Sequence, residues 1–112
     1  MPIPNATEAI AATEKVRDYL LNLEHPDGGS KAIWFQSLGY ARDRWQELES
    51  DLLTLAAACK EFATVQTPFG VKYVVKGQIG RTPWRSASVL AVWIVGADRR
   101  PRLVTAYPDE ES

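Results

Sequence analysis

The sequence predicts a single small α+β domain, with helices in its first half packed on one face of an antiparallel sheet of three to four strands in its second. Two observations carry this. Apolar residues recur at helical spacing up to about Cys59 and alternate or run together in short β-rich stretches after it. The strand-like stretches follow one another with short turns and no crossover helix, which excludes a parallel sheet and favours a meander. With 112 residues, 46% apolar and 24% charged, the chain is sized for one domain over residues 1–108, closed by an acidic tail at 109–112.

Pro2 and Pro4 make the first residues irregular. A first helix is expected between Ala6 and Asn22, with Val16, Tyr19, Leu20 and Leu23 toward the core and Ala9 and Ala12 extending the stripe. The run from His25 to Ser30, with Pro26, Asp27, Gly28 and Gly29, is turn chemistry. Ser30 is read as the N-cap of a second helix from Lys31 to Leu38, anchored by Ile33, Trp34 and Leu38 and closed by Gly39. Asp43 is read as the cap of a third helix reaching Cys59, with Trp45, Leu48, Leu52, Leu55 and Ala56 as its apolar stripe.

The strands follow at Phe62 to Gln66, Val71 to Ile79, Ser86 to Val95 and Arg102 to Tyr107. Val71, Tyr73 and Val75 share one face of the second, Lys72, Val74 and Lys76 the other. Thr105 and Tyr107 share a face of the last. The helices cover one face of the sheet, and the other is expected to stay open.

Composition narrows the function. Val89 to Val95 is too short an apolar run to cross a bilayer as a helix, and the N-terminus has no basic start and apolar core, so the chain reads as cytoplasmic with no membrane partner. Cys59 is the lone cysteine and His25 the lone histidine; no cysteine-based or two-histidine zinc site can form, and no cofactor is expected. Residues 1–65 carry a net charge of -4, residues 66–108 carry +6, and Asp109, Glu110 and Glu111 add -3. The sheet half can therefore attract a polyanion or simply present a solvated basic face. The tail is expected to be mobile and to weaken such attraction by masking.

No phosphate-binding or nucleophile-elbow motif is complete. Gly28-Gly29-Ser30-Lys31 offers backbone amides at a helix start, either for an anion or as an ordinary capped loop. His25 lies in a polar turn rather than on an apolar face, so it is a solvated surface group, a functional one or a structural hydrogen-bonding one. Trp84, between Arg81 and Arg85, can stack on a base beside two cations or cap the sheet end. Lys72, Lys76, Arg81, Trp84 and Arg85 are the candidate nucleic-acid contacts.

The segments KVRDYLLNLEHPDGGSKAIWFQSLGY (Lys15–Tyr40), FGVKYVVKGQI (Phe69–Ile79), SVLAVWIV (Ser88–Val95) and PRLVTAYP (Pro101–Pro108) together resemble an uncharacterised bacterial domain family, DUF6883-like. Such domains are similar to small toxin modules of the barnase–EndoU–colicin–RelE type, in which helices precede a four-stranded antiparallel sheet and RNA is cut without metal. The resemblance implies RNA as substrate and a cognate inhibitor protein as partner. It places His25, Lys31, Thr105 and Tyr107 at the family's recurrent polar positions, as candidate catalytic residues. The sparse acid–base inventory keeps a non-catalytic protein- or ligand-binding module as the alternative.

Overall fold

A computed structural model describes residues 3–26 and 29–109. The expectations for Pro2, Asp27, Gly28, Glu110 and Glu111 lie outside the described residues. Three helices are followed by four strands: α1 (Thr13–Lys15) runs straight into a π-helical turn (Val16–Leu20), then come α2 (Gly29–Ser37) and α3 (Trp45–Ala58). The strands are β1 (Phe62–Thr67), β2 (Gly70–Gly80), β3 (Ser86–Val95) and β4 (Pro101–Pro108), antiparallel in the order β1-β2-β3-β4. The predicted α+β meander is the observed architecture.

The first helix starts later than its periodicity suggests. Ala6–Glu8 form only a short 3₁₀ turn. The backbone of Ile10 then leaves helical geometry to bond β4: its N–H donates to the Pro101 carbonyl at 2.8 Å, and its carbonyl accepts from Leu103 N–H at 2.9 Å. These bonds cover the free edge of β4, a template for unwanted pairing if left bare. Helix resumes at Thr13 and widens at once, with Leu21 N–H donating to the Val16 carbonyl five residues back at 3.1 Å. Val16 and Leu20 are buried as predicted, and so is Leu21, whereas Leu23 is 53% exposed. It lies past the end of the turn, where the stripe no longer applies.

α2 begins at Gly29, so Ser30 sits inside the helix rather than capping it. Its inner face is Ala32 and Phe35, both fully buried; Ile33, expected as an anchor, is 65% exposed. Small Ala32 lets the helix approach closely, and Phe35 fills the space beside it, which turns Ile33 outward. Gly39 closes the helix at φ +98°, the left-handed geometry glycine adopts without strain. α3 is preceded by a 3₁₀ turn at Arg42–Arg44, and its N-cap position is Arg44, not Asp43. Leu48, Leu52 and Ala56 are fully buried along the predicted stripe.

The sheet register fixes its two faces. Val75, Ile79, Val89, Ala91, Trp93, Leu103 and Ala106 join Leu48, Leu52, Phe35 and Leu20 in one core. On the other face three rows cross the sheet: Lys72–Ile94–Arg102, Val74–Val92–Thr105 and Lys76–Leu90–Tyr107. Lys72 and Lys76 thus share the open face with Thr105 and Tyr107. The start of the tail is not loose. Asp109 N–H donates to the Ser88 carbonyl at 3.0 Å, continuing the ladder past Pro108, and the carboxylate is buried at 2.9 Å from Lys76 Nζ.

Burial, and the hydrogen bond and negative charge of Asp51 at 2.6 Å from its hydroxyl, push the Tyr40 phenol far above the usual range; Gly80 and Arg81 oppose this only in part. A phenol that stays protonated longer folded than unfolded leaves stability intact below the ordinary tyrosine value and erodes it above about pH 10. Tyr40→Phe should flatten that alkaline limb in denaturant titrations and cost about 1 kcal/mol at neutral pH through the lost bond to Asp51. Leu52→Ala should cost about 2–5 kcal/mol. Ile33→Ala should stay within about 0.5 kcal/mol of the parent. A large loss at Ile33 would contradict the face assigned to α2.

Candidate functional site

Three separate segments meet beside β4. The π-helical turn presents Tyr19. The turn that follows brings back His25, held by its N–H to the Asn22 carbonyl at 3.1 Å and by its carbonyl to Gly29 N–H at 3.0 Å. β4 supplies Thr105 next to a bulge: Val92 pairs with Thr105 and Trp93 with Leu103, leaving Val104 supernumerary. A bulge of this kind re-aims side chains. Here Val104 and Thr105 both line an open cleft of about 490 Å³ with Glu14, Lys15, Tyr19 and His25.

Tyr19 is the hub. Its hydroxyl lies 3.3 Å from Thr105 Oγ1, either atom able to donate. The His25 ring meets its ring edge to face, centroids 5.0 Å apart. Lys31 Nζ and Lys15 Nζ stand 5.5 and 5.8 Å from the centroid of the same ring. Burial raises the Tyr19 phenol, but hydrogen bonds with Thr105 and Lys31 and the positive charges of Lys31 and Lys15 outweigh it, and the net shift is downward. The arrangement places an imidazole, a phenol biased toward ionisation, a hydroxyl, Lys15 and Glu14 around one opening, with Lys31 over the Tyr19 ring. Such a set can move a proton at each side of a bound phosphate and hold its negative charge.

Of the predicted set, His25, Lys31 and Thr105 are thus brought together around Tyr19. Tyr107 stands on the same sheet face as Thr105, one row on with Leu90 and Lys76, and is not among the residues lining the cleft. Lys72 lies on that face in the row with Arg102. Lys76 is ion-paired to Asp109, and Arg81 reaches Glu47 and Asp51 of α3 at 3.3 and 3.4 Å. Trp84 is 82% exposed and Arg85 is exposed, both in the 3₁₀ turn Pro83–Arg85 between β2 and β3. That turn stands six residues along β3 from the Thr105 partner Val92, about 20 Å away. Arg81, Trp84 and Arg85 therefore form a group apart from the cleft.

Sequence reasoning missed Tyr19 and Lys15 as site residues. Tyr19 fell on the apolar stripe and was assigned to the core, where its ring is indeed half-buried. The signal in the sequence was the hydroxyl: a tyrosine on an inward stripe needs a polar partner for its tip. Among the described residues, no group of three or more His, Cys, Asp or Glu side chains is placed to hold a metal ion, and no helix is long and apolar enough to cross a membrane.

Ultraviolet titration should show one tyrosine ionising below the ordinary value of about 10. Tyr19→Phe should remove that step, and Lys31→Met should move it upward. An early step that ignores both substitutions would place the perturbed phenol elsewhere.

No curated protein sequence matches the chain. A chain from the solved structure described as a contact-dependent growth inhibition toxin - immunity protein complex from Klebsiella pneumoniae 342 superposes with a TM-score of 0.74 over 95% of this chain and 97% of that one. The two are 13% identical, so the likeness is one of fold. The sequence model of DUF6883, a domain of unknown function, matches residues 2–110, and with that match the chain belongs to the DUF6883 family.

Proposed function

We propose that this domain is a metal-independent endoribonuclease of the toxin type, with its reaction centre in the cleft between the π-helical turn and β4. The observation that carries the reading is the convergence of His25, Tyr19 and Thr105 on one opening, with Lys31 and Lys15 over the Tyr19 ring. Cleavage of RNA by its own 2′-hydroxyl requires a base for that proton, a cation for the charge gathering on phosphorus, and an acid for the departing 5′-oxygen. Histidine suits either proton transfer near neutral pH. In this reading His25 takes the 2′-hydroxyl proton, the 2′-oxygen bonds to phosphorus, and the Tyr19 phenol protonates the 5′-oxygen as its bond to phosphorus breaks. A 2′,3′-cyclic phosphate and a free 5′-hydroxyl result. Lys31 offsets the phosphorane charge, and Thr105 holds the phenol in register. Lys72 extends the positive field across the open face, while Arg102 in the same row is ion-paired to Asp98. In this reading Tyr107, one row from Thr105, meets the adjoining nucleotide.

The likeness to a chain from a toxin–immunity structure supports the toxin-type reading and, with it, a cognate protein partner. A non-catalytic binding module has one observation in its favour. Lys76 and Arg81, two of the expected RNA contacts, are engaged by Asp109, Glu47 and Asp51.

Incubation with labelled mixed-sequence RNA in the presence of a chelator separates the two. The parent protein should cut RNA and leave cyclic phosphate ends. His25→Ala and Tyr19→Phe should each lower the rate by about 10²–10⁴-fold. Thr105→Val should lower it less. Equal faint cutting by parent and variants, or none by the parent at concentrations where it binds RNA, would leave the binding module as the better account.

A further inference from the structure

β2 outruns its outer neighbour. β1 pairs with it only from Gly70 to Val75, where Phe62 stands opposite, whereas β3 pairs with it to Gly80. The register tells which way the remaining backbone groups point. Asp109 N–H bonds the Ser88 carbonyl, so Ser88 turns its backbone groups toward β4, and alternation turns those of Ala87 and Val89 toward β2. Their partners Ile79 and Gly77 are thereby bonded to β3. Gln78, between them, directs its N–H and carbonyl outward, to the side on which β1 has already ended. Among the described residues no strand stands there. The gap is bounded by Phe62 at one end and by Tyr40, whose hydroxyl lies near the Gly80 backbone, at the other.

Exposed edges are usually blunted by proline, a bulge or an outward charge. Residues 76–79 contain no proline, and β2 pairs with both neighbours without a register shift. The one charge there, Lys76, is drawn to Asp109 beyond the end of β4. Along the edge lie two confluent cavities of about 550 and 360 Å³, which share Thr54, Leu55 and Gln78. α3 overhangs the gap: Thr54, Leu55 and Ala58 form the wall facing Gly77 and Gln78. Glycine at position 77 keeps this slot tight, because any Cβ there would meet the Leu55 side chain.

We propose that this slot receives a short extended segment of a partner protein, which adds a strand beside residues 76–79. The slot dictates the chemistry of the segment. It is four to five residues long, at about 3.3 Å per residue. Its inward side chains are apolar and lie against Leu55 and Ala58. Lys60 and Glu61 line the end nearest β1 beside Lys76, whose charge Asp109 already balances, so a carboxylate of the segment meets Lys60 there. Main-chain bonds give such additions their affinity, and the alternate side chains their selectivity. The cleft of the proposed reaction lies along β4, at the opposite edge of the sheet, so a segment docked here leaves it open.

Amide exchange and heteronuclear spectra of labelled protein test this with the peptide acetyl-Glu-Val-Thr-Val-Glu-amide and its backbone N-methylated counterpart. In the dilute protein the Gln78 amide should exchange rapidly while those of Gly77 and Ile79 are protected. The peptide should shift resonances at Gly77 and Gln78 and slow Gln78 exchange by about tenfold or more; the N-methylated form should do neither. Tyr19 and His25 resonances should not move. Gln78→Pro, which deletes the outward N–H and the side-chain bond to Ser88 while leaving the backbone bonds of Gly77 and Ile79 to β3 in place, should abolish the response. The proposal is overturned by a protected Gln78 amide in the dilute protein, by equal effects of the two peptides, or by no shift at about 1 mM peptide. Protection that grows with protein concentration alone would assign the edge to a second copy and overturn it as well.

Discussion

Two backbone hydrogen bonds between Ile10 and β4 shape much of what surrounds them. They hold the N-terminal segment extended along the sheet, close the edge of β4, and delay the helix to Thr13. A helix that began at Ala6 would reach Tyr19 on a different turn and leave β4 uncovered. Because it begins at Thr13 and widens at once into a π turn, Tyr19 arrives at the covered edge with its hydroxyl against Thr105. Edge protection and site construction are the same piece of chain.

The sheet was legible in the residues because its signals are local. Alternation in Val71, Tyr73 and Val75 and the dense apolar run from Val89 to Val95 each speak for themselves. α3 was legible for the same reason, with a long single stripe. The first helix was not, since Ala9 and Ala12 satisfy a helical period as well as an extended strap, and only β4, ninety residues on, decides between them. α2 shows a different limit. Ile33, Trp34 and Phe35 are three consecutive large apolar residues, and which of them faces inward depends on how closely Ala32 approaches its neighbours.

The candidate site was legible by residue type but not by membership. His25 stood out as the lone imidazole in a polar turn, and the family resemblance named Lys31, Thr105 and Tyr107 with it. Tyr19 was hidden by its own ring, which obeys the apolar stripe while its hydroxyl serves the cleft. Charge was read correctly in sum and incompletely in place. The basic half of the chain is real, yet Lys76 and Arg81 are balanced by carboxylates from the tail and from α3. Net charge by segment cannot see such pairing, because the partners lie far apart in sequence.

The supernumerary Val104 divides β4 into two stretches with opposite phases of alternation. On one side of it the strand delivers Leu103 to the core; on the other it delivers Ala106 to the core and Thr105 and Tyr107 to the open face. A strand that took Val104 into regular pairing, without the bulge, could keep one of these deliveries and not both. If the core holds Leu103, every side chain after it changes sides and the cleft loses Thr105; if the cleft holds Thr105, Leu103 turns out into water. Deleting Val104 would instead set Leu103 and Thr105 side by side on the opposite faces they already occupy, so the strand can lose the extra residue but cannot absorb it into the ladder.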